Sequence, residues 1–195
     1  MLDIASSFGF NFSRTITSIS ILVLWIKPDT GVVKLNCDGA KKTTHSHGGI
    51  GGVLRDSNGN IIWAFSDFIE ECPNSLYAEA AALLRGLQLL DTSCTTTLWI
   101  ETDSKLLWQI LSHNHLGHWK LHGLLNKIHT QLSHFEVSIT HIYREGNKAA
   151  DALANIGFHQ QTFVQYSSNS TPRAIQGFVR VDQLEIPAFR FRNQY

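Results

Sequence analysis

Cysteine is scarce in this sequence. The 195 residues include three cysteines, Cys37, Cys72 and Cys94, which lie far apart and form no C-x-x-C pair. This spacing argues against a zinc ribbon and against the disulfide framework of a small secreted domain. We therefore expect a protein of a reducing compartment.

Long apolar runs are also missing. The run "ISILVLWI", residues 19–26, is eight residues long, whereas a membrane-spanning helix needs about 20 such residues. The preceding stretch carries Arg14 against Asp3 and has no clear small-residue cleavage site, which argues against a secretory signal. We expect no membrane partner.

The sequence has no excess of charge of either sign. Sixteen basic and sixteen acidic residues give a net charge of +0, so any polyanionic ligand must be bound by a local patch. Hydrophobic residues at 43% and charged residues at 16% are typical of a globular protein. We expect one folded domain and a monomer.

The composition divides the chain into three parts. Residues 1–26 read as a weakly structured leader, residues 27–160 as the folded domain, and residues 161–195 as a loosely structured tail. The tail is assigned from the polar run "QYSSNSTPR" and two prolines among scattered aromatic residues.

Periodicity within the central part predicts an α/β fold. "GVVKLNCD" alternates as a strand does, with Lys34, Asn36 and Asp38 on its polar face. Two further β-rich runs flank Asn58-Gly59, a hairpin signal. A helix capped by Asn74 or Ser75 runs to about Leu90. The order β-β-β-α-β-α-α-β-α is that of a mixed sheet with helices packed on it.

Four carboxylates stand out, although each also has an ordinary interpretation. Asp38 could open a turn, Asp103 could cap the helix that follows it, and Asp151 falls on the solvated side of its helix. Glu79 borders the apolar stripe of its helix, where a carboxylate is costly without a partner. If the four converged, divalent cations would be needed to neutralise them, and oxygen ligands suit Mg²⁺ or Mn²⁺.

Five segments in register resemble the ribonuclease H type 1 domain, and most closely the plant ribonuclease H-like domains related to retrotransposon reverse transcriptases. The segments are "KLNCDGA", "GGIGGVLRDSNGNII", "YAEAAALLRGLQLL", "LWIETDS" and "HIYREGNKAADALAN". The resemblance implies a ribonuclease H-like fold with a five-stranded mixed sheet, three strands antiparallel and the rest added in parallel. It also implies hydrolysis of the RNA strand of RNA–DNA hybrids by two Mg²⁺ ions, with Mn²⁺ as a substitute. The implied metal ligands and catalytic residues are Asp38, Glu79, Asp103 and Asp151.

Basic and histidine residues offer further candidates. Lys41, Lys42 and Gly49 either contact phosphate groups or form a flexible turn. Many members of the family that the chain resembles carry a histidine in a catalytic loop, which assists proton transfer or product release. His141 precedes Asp151 by ten residues and lies within the last strand, so we do not assign it this role. Arg144 or Lys148 could substitute for it electrostatically. Five histidines between residues 113 and 129 have no acidic or cysteine partner in that stretch, which favours a weakly basic helix surface over a metal site.

Two other functions are compatible with the same motifs. The chain could be a non-catalytic nucleic-acid-binding module with this fold, or a structural relic that binds no metal. An intracellular setting is the default for a reduced protein that cleaves hybrids, with the nucleus as one candidate compartment.

Overall fold

The computed structural model describes residues 18–42, 44–93, 95–113 and 121–193. These residues form eight strands, five helices and one 3₁₀ turn. The strands are β1 (Ser18–Val23), β2 (Val32–Lys41), β3 (Gly48–Arg55), β4 (Ile61–Ile69), β5 (Thr97–Thr102), β6 (Glu136–His141), β7 (Val164–Ser167) and β8 (Ala188–Asn193). The helices are α1 (Ser75–Gln88), α2 (Lys105–His113), α3 (His122–Leu132), α4 (Lys148–Gln160) and α5 (Arg173–Gln183), and the turn spans Arg144–Gly146.

The main sheet has six strands in the order β6-β5-β2-β3-β4-β7. Strands β2, β3, β4 and β7 pair antiparallel, whereas β5 is parallel to both β2 and β6. The expected five strands are therefore present, and β7 adds a sixth. A separate two-stranded sheet pairs β1 with β8, antiparallel.

Strand β2 is buried on both faces, including the face expected to be polar. Lys34, Asn36 and Asp38 are each 1% exposed or less. The opposite face of β2 packs with helices α1 and α3 in the larger hydrophobic core, through residues such as Leu35 and Leu87. The alternation of the strand was correctly predicted, but its polar side chains lie inside the protein.

Helix α1 begins as the sequence predicted. The side chain of Asn74 accepts a hydrogen bond from the backbone N–H of Tyr77 at 2.9 Å, which satisfies one of the free donors at the helix N-terminus. Among the described helices, none has the length and apolar character needed to cross a membrane.

The structure corrects the expectations for the two ends of the chain. The region expected to be a leader contains β1 and the buried Trp25, and the region expected to be a loose tail contains β7, α5 and β8. The tail is ordered because Tyr166, Ile175 and Val179 pack in a second core cluster beside helix α4. Residues 1–17 of the expected leader lie outside the described residues.

Candidate metal centre and its surroundings

Three of the four predicted carboxylates meet at one end of the main sheet. Asp38, Glu79 and Asp103 each offer a ligand atom, and these atoms lie within 4.8 Å of one another. The parallel pairing of β2 with β5 places Cys37 opposite Thr102, so the residues that follow them, Asp38 and Asp103, emerge side by side. The end of β5 beside β2 therefore explains two members of the cluster.

Gly39 explains the third member. A Cβ atom at Gly39 would overlap the backbone of Ala78 and Glu79. Because glycine has no side chain, helix α1 can approach strand β2 closely enough to place Glu79 beside Asp38. The "DG" pair of the sequence thus supplies a carboxylate and the space for a second one.

The cluster has more buried negative charge than its surroundings compensate. Both carboxylate oxygens of Asp38 and the Oε2 atom of Glu79 are buried without a hydrogen-bond partner among the described residues. Burial, followed by the charges of Asp103 and Asp151, raises the pKa of Asp38 from its ordinary 3.8 to about 7. Burial and the charges of Asp38 and Asp103 also raise the pKa of Glu79. Uncompensated oxygens of this kind are suited to bind a cation.

Asp103 is the carboxylate of the cluster that has both a hydrogen-bond donor and a basic side chain beside it. The Nδ2 group of Asn147 donates to Asp103 Oδ1 at 3.2 Å and to the backbone oxygen of Cys37 at 3.0 Å. Asn147 therefore ties the residue after β5 to the backbone of β2. Burial raises the pKa of Asp103, against the opposing effects of Asn147 and Arg144.

Asp151 lies at the margin of the cluster. It falls outside the group of three, and its side chain is 38% exposed. Arg144 connects it to the group, because the guanidinium lies 3.6 Å from Asp103 and 3.8 Å from Asp151. Partial burial lowers the pKa of Arg144, but the four carboxylates together raise it. Arg144 therefore supplies local positive charge beside the carboxylates.

The residues proposed to contact nucleic acid have different environments. Lys41 donates to the backbone oxygen of His45, and Lys42 lies 4.5 Å from the centre of the Phe158 ring. Gly49 is buried, and a Cβ atom there would overlap the backbone of Ala154 and Phe158 in helix α4. Helix packing accounts for Gly49, while Lys42 is exposed beyond the end of β2.

His141 ends strand β6 opposite Thr102, which directly precedes Asp103. Its ring lies 6.2 Å from that of Trp108 and 5.7 Å from that of Tyr143. These aromatic side chains, together with Lys105, line an open groove between helix α2 and strand β6. His141 thus lies at the end of β6 that is nearest the carboxylates. The sequence spacing alone did not assign it a role.

Part of the histidine-rich segment, residues 114–120, lies outside the described residues. In the described part of the chain, the group of His, Cys, Asp and Glu residues close enough to hold a metal ion consists of the three carboxylates. Cys37 and Cys72 are free and buried.

Sequence reasoning missed two residues that surround the cluster. The sequence predicts Asn36 as a polar strand residue and includes Asn147 only within the segment "HIYREGNKAADALAN". Both side chains are buried, and they are hydrogen-bonded to each other at 3.3 Å. A signal for Asn36 was its position on the same strand face as Asp38. No local pattern distinguished Asn147 from an ordinary loop residue.

Comparison with known proteins places the site in a family context. Residues 36–157 match the family described as reverse transcriptase-like. A protein of Arabidopsis thaliana named "Putative ribonuclease H protein" is 31% identical over 164 residues, which is 84% of this chain. The chain spans 26% of the length of that relative.

Solved structures resemble the chain in fold. The ribonuclease H1 of Halobacterium salinarum is 29% identical, with a TM-score of 0.60, and the match covers 65% of this chain and 97% of that one. The N-terminal ribonuclease H domain of a Mycobacterium tuberculosis protein is 23% identical, with a TM-score of 0.62 and coverage of 68% and 96%. LC11-RNase H1, solved in complex with an RNA/DNA hybrid, is 24% identical, with a TM-score of 0.58 and coverage of 66% and 97%. The expected fold class is confirmed, apart from the sixth strand.

Proposed function

The chain belongs to the reverse transcriptase-like family of ribonuclease H-like domains, and from this premise we propose that it is a metal-dependent endonuclease. The proposed reaction is hydrolysis of the RNA strand of an RNA–DNA hybrid. The support is a ribonuclease H fold combined with a cluster of one buried and two half-buried carboxylates where the sequence motifs predicted metal ligands.

The chemistry of the cluster fits a divalent cation. The donors are all carboxylate oxygens, the ligand type that suits Mg²⁺ and Mn²⁺. The two oxygens of Asp38 and one oxygen of Glu79 are buried without hydrogen bonds from the described residues. We propose that Asp38, Glu79 and Asp103 hold the metal, with Asp151 as a further ligand from the margin.

Two Mg²⁺ ions, when bound, would supply an activated water and stabilise the negative charge that develops at the phosphate. The residues of the chain have separate tasks around them. Asp38 presents two oxygens without hydrogen-bond partners among the described residues, and Asn147 holds Asp103 in one orientation. Arg144 adds a positive charge next to the carboxylates, where it would also attract a phosphate group. Recognition of the RNA strand would rest on its 2′-hydroxyl groups.

The observation that carries the proposal is the unsatisfied Asp38 carboxylate. Asp38→Asn removes a charged ligand while keeping the side-chain volume. We expect the purified wild-type chain to cleave a labelled RNA–DNA hybrid in Mg²⁺ or Mn²⁺, and the variant to lose at least about 100-fold in rate with its circular dichroism spectrum unchanged.

A double-stranded DNA of the same sequence is the matched substrate control. Failure of the wild-type chain to cut the hybrid, under conditions in which a known ribonuclease H succeeds, would contradict the proposal. Hybrid binding without cleavage that is indifferent to Mg²⁺ and to Asp103→Asn would favour the non-catalytic binding module instead.

A further inference from the structure

A buried layer of paired charges lies behind the carboxylate cluster. Lys34 is 0% exposed, and its ammonium group lies 2.8 Å from Glu101 and 2.8 Å from the backbone oxygen of Ile26. Arg55 is 1% exposed and lies 2.6 Å from Asp182 of helix α5. Two positive and two negative side chains therefore neutralise each other inside the protein.

Asn36 joins this layer to the carboxylate cluster. Its Oδ1 atom accepts from Arg55 Nη2 at 2.8 Å and from Trp25 Nε1 at 3.0 Å. Its Nδ2 group donates to Glu101 at 3.0 Å and to Asn147 Oδ1 at 3.3 Å. All the hydrogen-bonding positions of the Asn36 amide are occupied. Asn36 contributes to the orientation of Asn147, because the donated hydrogen bond fixes which side of the Asn147 amide carries the oxygen.

The outer members of the layer come from the ends of the chain. Trp25 is 1% exposed, with its ring 3.5 Å from the Arg55 guanidinium and 4.8 Å from the Lys34 ammonium. Both Trp25 and Asp182 lie outside residues 36–157, which match the family. The matches to the three solved ribonuclease H structures compared above cover 65–68% of this chain and 96–97% of each of those structures. Both residues therefore come from parts of the chain outside the match to the family.

Stability alone is a weak explanation for such a layer. Removing charged groups from water costs free energy, and a well-packed apolar cluster of similar size is often at least as stable as buried ion pairs. Fully satisfied polar networks do hold side chains in unique orientations. The end of this network is the hydrogen bond from Asn147 to Asp103 at 3.2 Å.

We propose that the terminal segments complete the catalytic site, with Trp25 and Asp182 acting as positioning residues for Asp103. Three buried polar side chains form the connection: Arg55, Asn36 and Asn147. This inference rests on the proposed function, because it concerns the orientation of a proposed metal ligand.

Asp182→Asn is the first test, in the full-length chain. It keeps the volume and one acceptor for Arg55 but removes the balancing charge. Partners behind a metal ligand typically change metal affinity or activity by about 10- to 100-fold. Because Asp182 acts through three side chains, we expect a loss of about 3- to 10-fold in Mn²⁺ affinity and in kcat, with the KM for the hybrid within about twofold.

Trp25→Phe is the second test and decides the matter if Asp182→Asn does not fold. It removes the Nε1–H donor to Asn36 but keeps an aromatic ring beside Arg55. We expect the same direction of change, about threefold in Mn²⁺ affinity. In the metal-free protein, hydrogen exchange of residues 145–151 should be faster in both variants than in the wild type, because Asn147 loses its fixed orientation.

Glu185→Gln provides the matched control. It breaks the Lys27–Glu185 ion pair, which joins the same terminal segments at 3.0 Å on the surface, with side chains 32% and 62% exposed. It should leave Mn²⁺ affinity, kcat and hydrogen exchange unchanged. The inference is overturned if folded Asp182→Asn and Trp25→Phe behave as this control does.

The result separates this inference from the proposed function. If the wild-type chain neither binds Mn²⁺ nor cleaves the hybrid, the proposed function fails. The metal-free hydrogen exchange then remains the deciding measurement: faster exchange near Asn147 in both variants supports the positioning role, and unchanged exchange rejects it.

Discussion

Strand β2 carries two buried polar groups of opposite character, four residues apart on the same face. Near its start, Lys34 is paired with Glu101 at 2.8 Å and is part of a layer whose charges balance. Near its end, Asp38 meets two other carboxylates, and its oxygens have no hydrogen-bond partner among the described residues. Both side chains are 0% exposed.

The difference shows that burial alone does not identify a functional residue. Burial lowers the pKa of Lys34 to about 8, although Glu101 opposes this effect. Burial raises the pKa of Asp38 to about 7, and the nearby carboxylates act in the same direction. In the first case the protein supplies the compensating charge. In the second it leaves the compensation to a ligand, which is the expected property of a binding site.

The largest effect should come from breaking the balanced layer. Lys34→Met leaves Glu101 buried without its partner, so we expect a loss of about 3–5 kcal/mol in the free energy of unfolding, measured with urea. The double variant Lys34→Met/Glu101→Gln should recover most of that loss, because it removes the unpaired charge. A loss below about 1 kcal/mol in the single variant would contradict the assignment of a balanced layer.

Removing a charge from the unbalanced cluster should increase the free energy of unfolding rather than decrease it. In metal-free protein the pKa of Asp38 is about 7, against an ordinary 3.8, so between these values the folded state holds a proton that the unfolded state releases. Its stability therefore falls as the pH rises through this window. Asp38→Asn should be more stable than wild type at pH 8, by on the order of 2–4 kcal/mol, and the difference should vanish near pH 4.

Urea unfolding in the presence of a chelator measures this difference. Glu70→Gln, at an exposed carboxylate, is the control and should change stability little at either pH. If Asp38→Asn were less stable than wild type at pH 8, the description of Asp38 as an uncompensated charge would be wrong.

A divalent cation should supply the missing compensation. At about 100 times its dissociation constant, Mn²⁺ would stabilise the folded wild-type chain by about 2.7 kcal/mol, which corresponds to roughly 5–10 °C in Tm for a chain of this size. Asp38→Asn should show a much smaller increase. Differential scanning fluorimetry measures these changes in Tm. An equal increase in Tm for both proteins would place the bound ion elsewhere.

The smallest effect on stability should come from replacing Arg144. This residue pairs with carboxylates, as Lys34 does, but its partners belong to the unbalanced cluster. Its guanidinium is 3.6 Å and 3.8 Å from two carboxylates, but the side chain is 68% exposed. Water screens such pairs, so Arg144→Gln should change the metal-free free energy of unfolding by less than about 1 kcal/mol. The change should shrink further in about 0.5 M salt. A loss above about 2 kcal/mol would show that Arg144 compensates the cluster more fully than its exposure suggests.

Much of the central domain could be predicted from the sequence because its signals are local. Alternation identified β2, Asn74 marked the start of α1, and Gly59 has the positive φ of 78° that the hairpin turn requires. The carboxylates were predicted by motif rather than by local physics. Asp151 in particular looked like a solvated side chain, and it is in fact partly exposed at the margin of the cluster.

The terminal elements were missed because their partners are distant in sequence. Helix α5 follows a polar run, and its apolar residues Ile175 and Val179 become meaningful only against helix α4. Their spacing of four residues was an available signal. Trp25 looked like the end of an apolar run, whereas its role depends on Asn36 and Arg55.

The ion pair between Arg55 and Asp182 also bears on the order of folding. These residues are 127 positions apart along the chain, and contacts of such separation form slowly because a long loop must first be closed. During synthesis, strands β2 and β3 leave the ribosome well before helix α5. Strands β2 and β3 would thus pair first, and the hydrogen-bond network behind the carboxylate Asp103 would be completed later, when helix α5 docks.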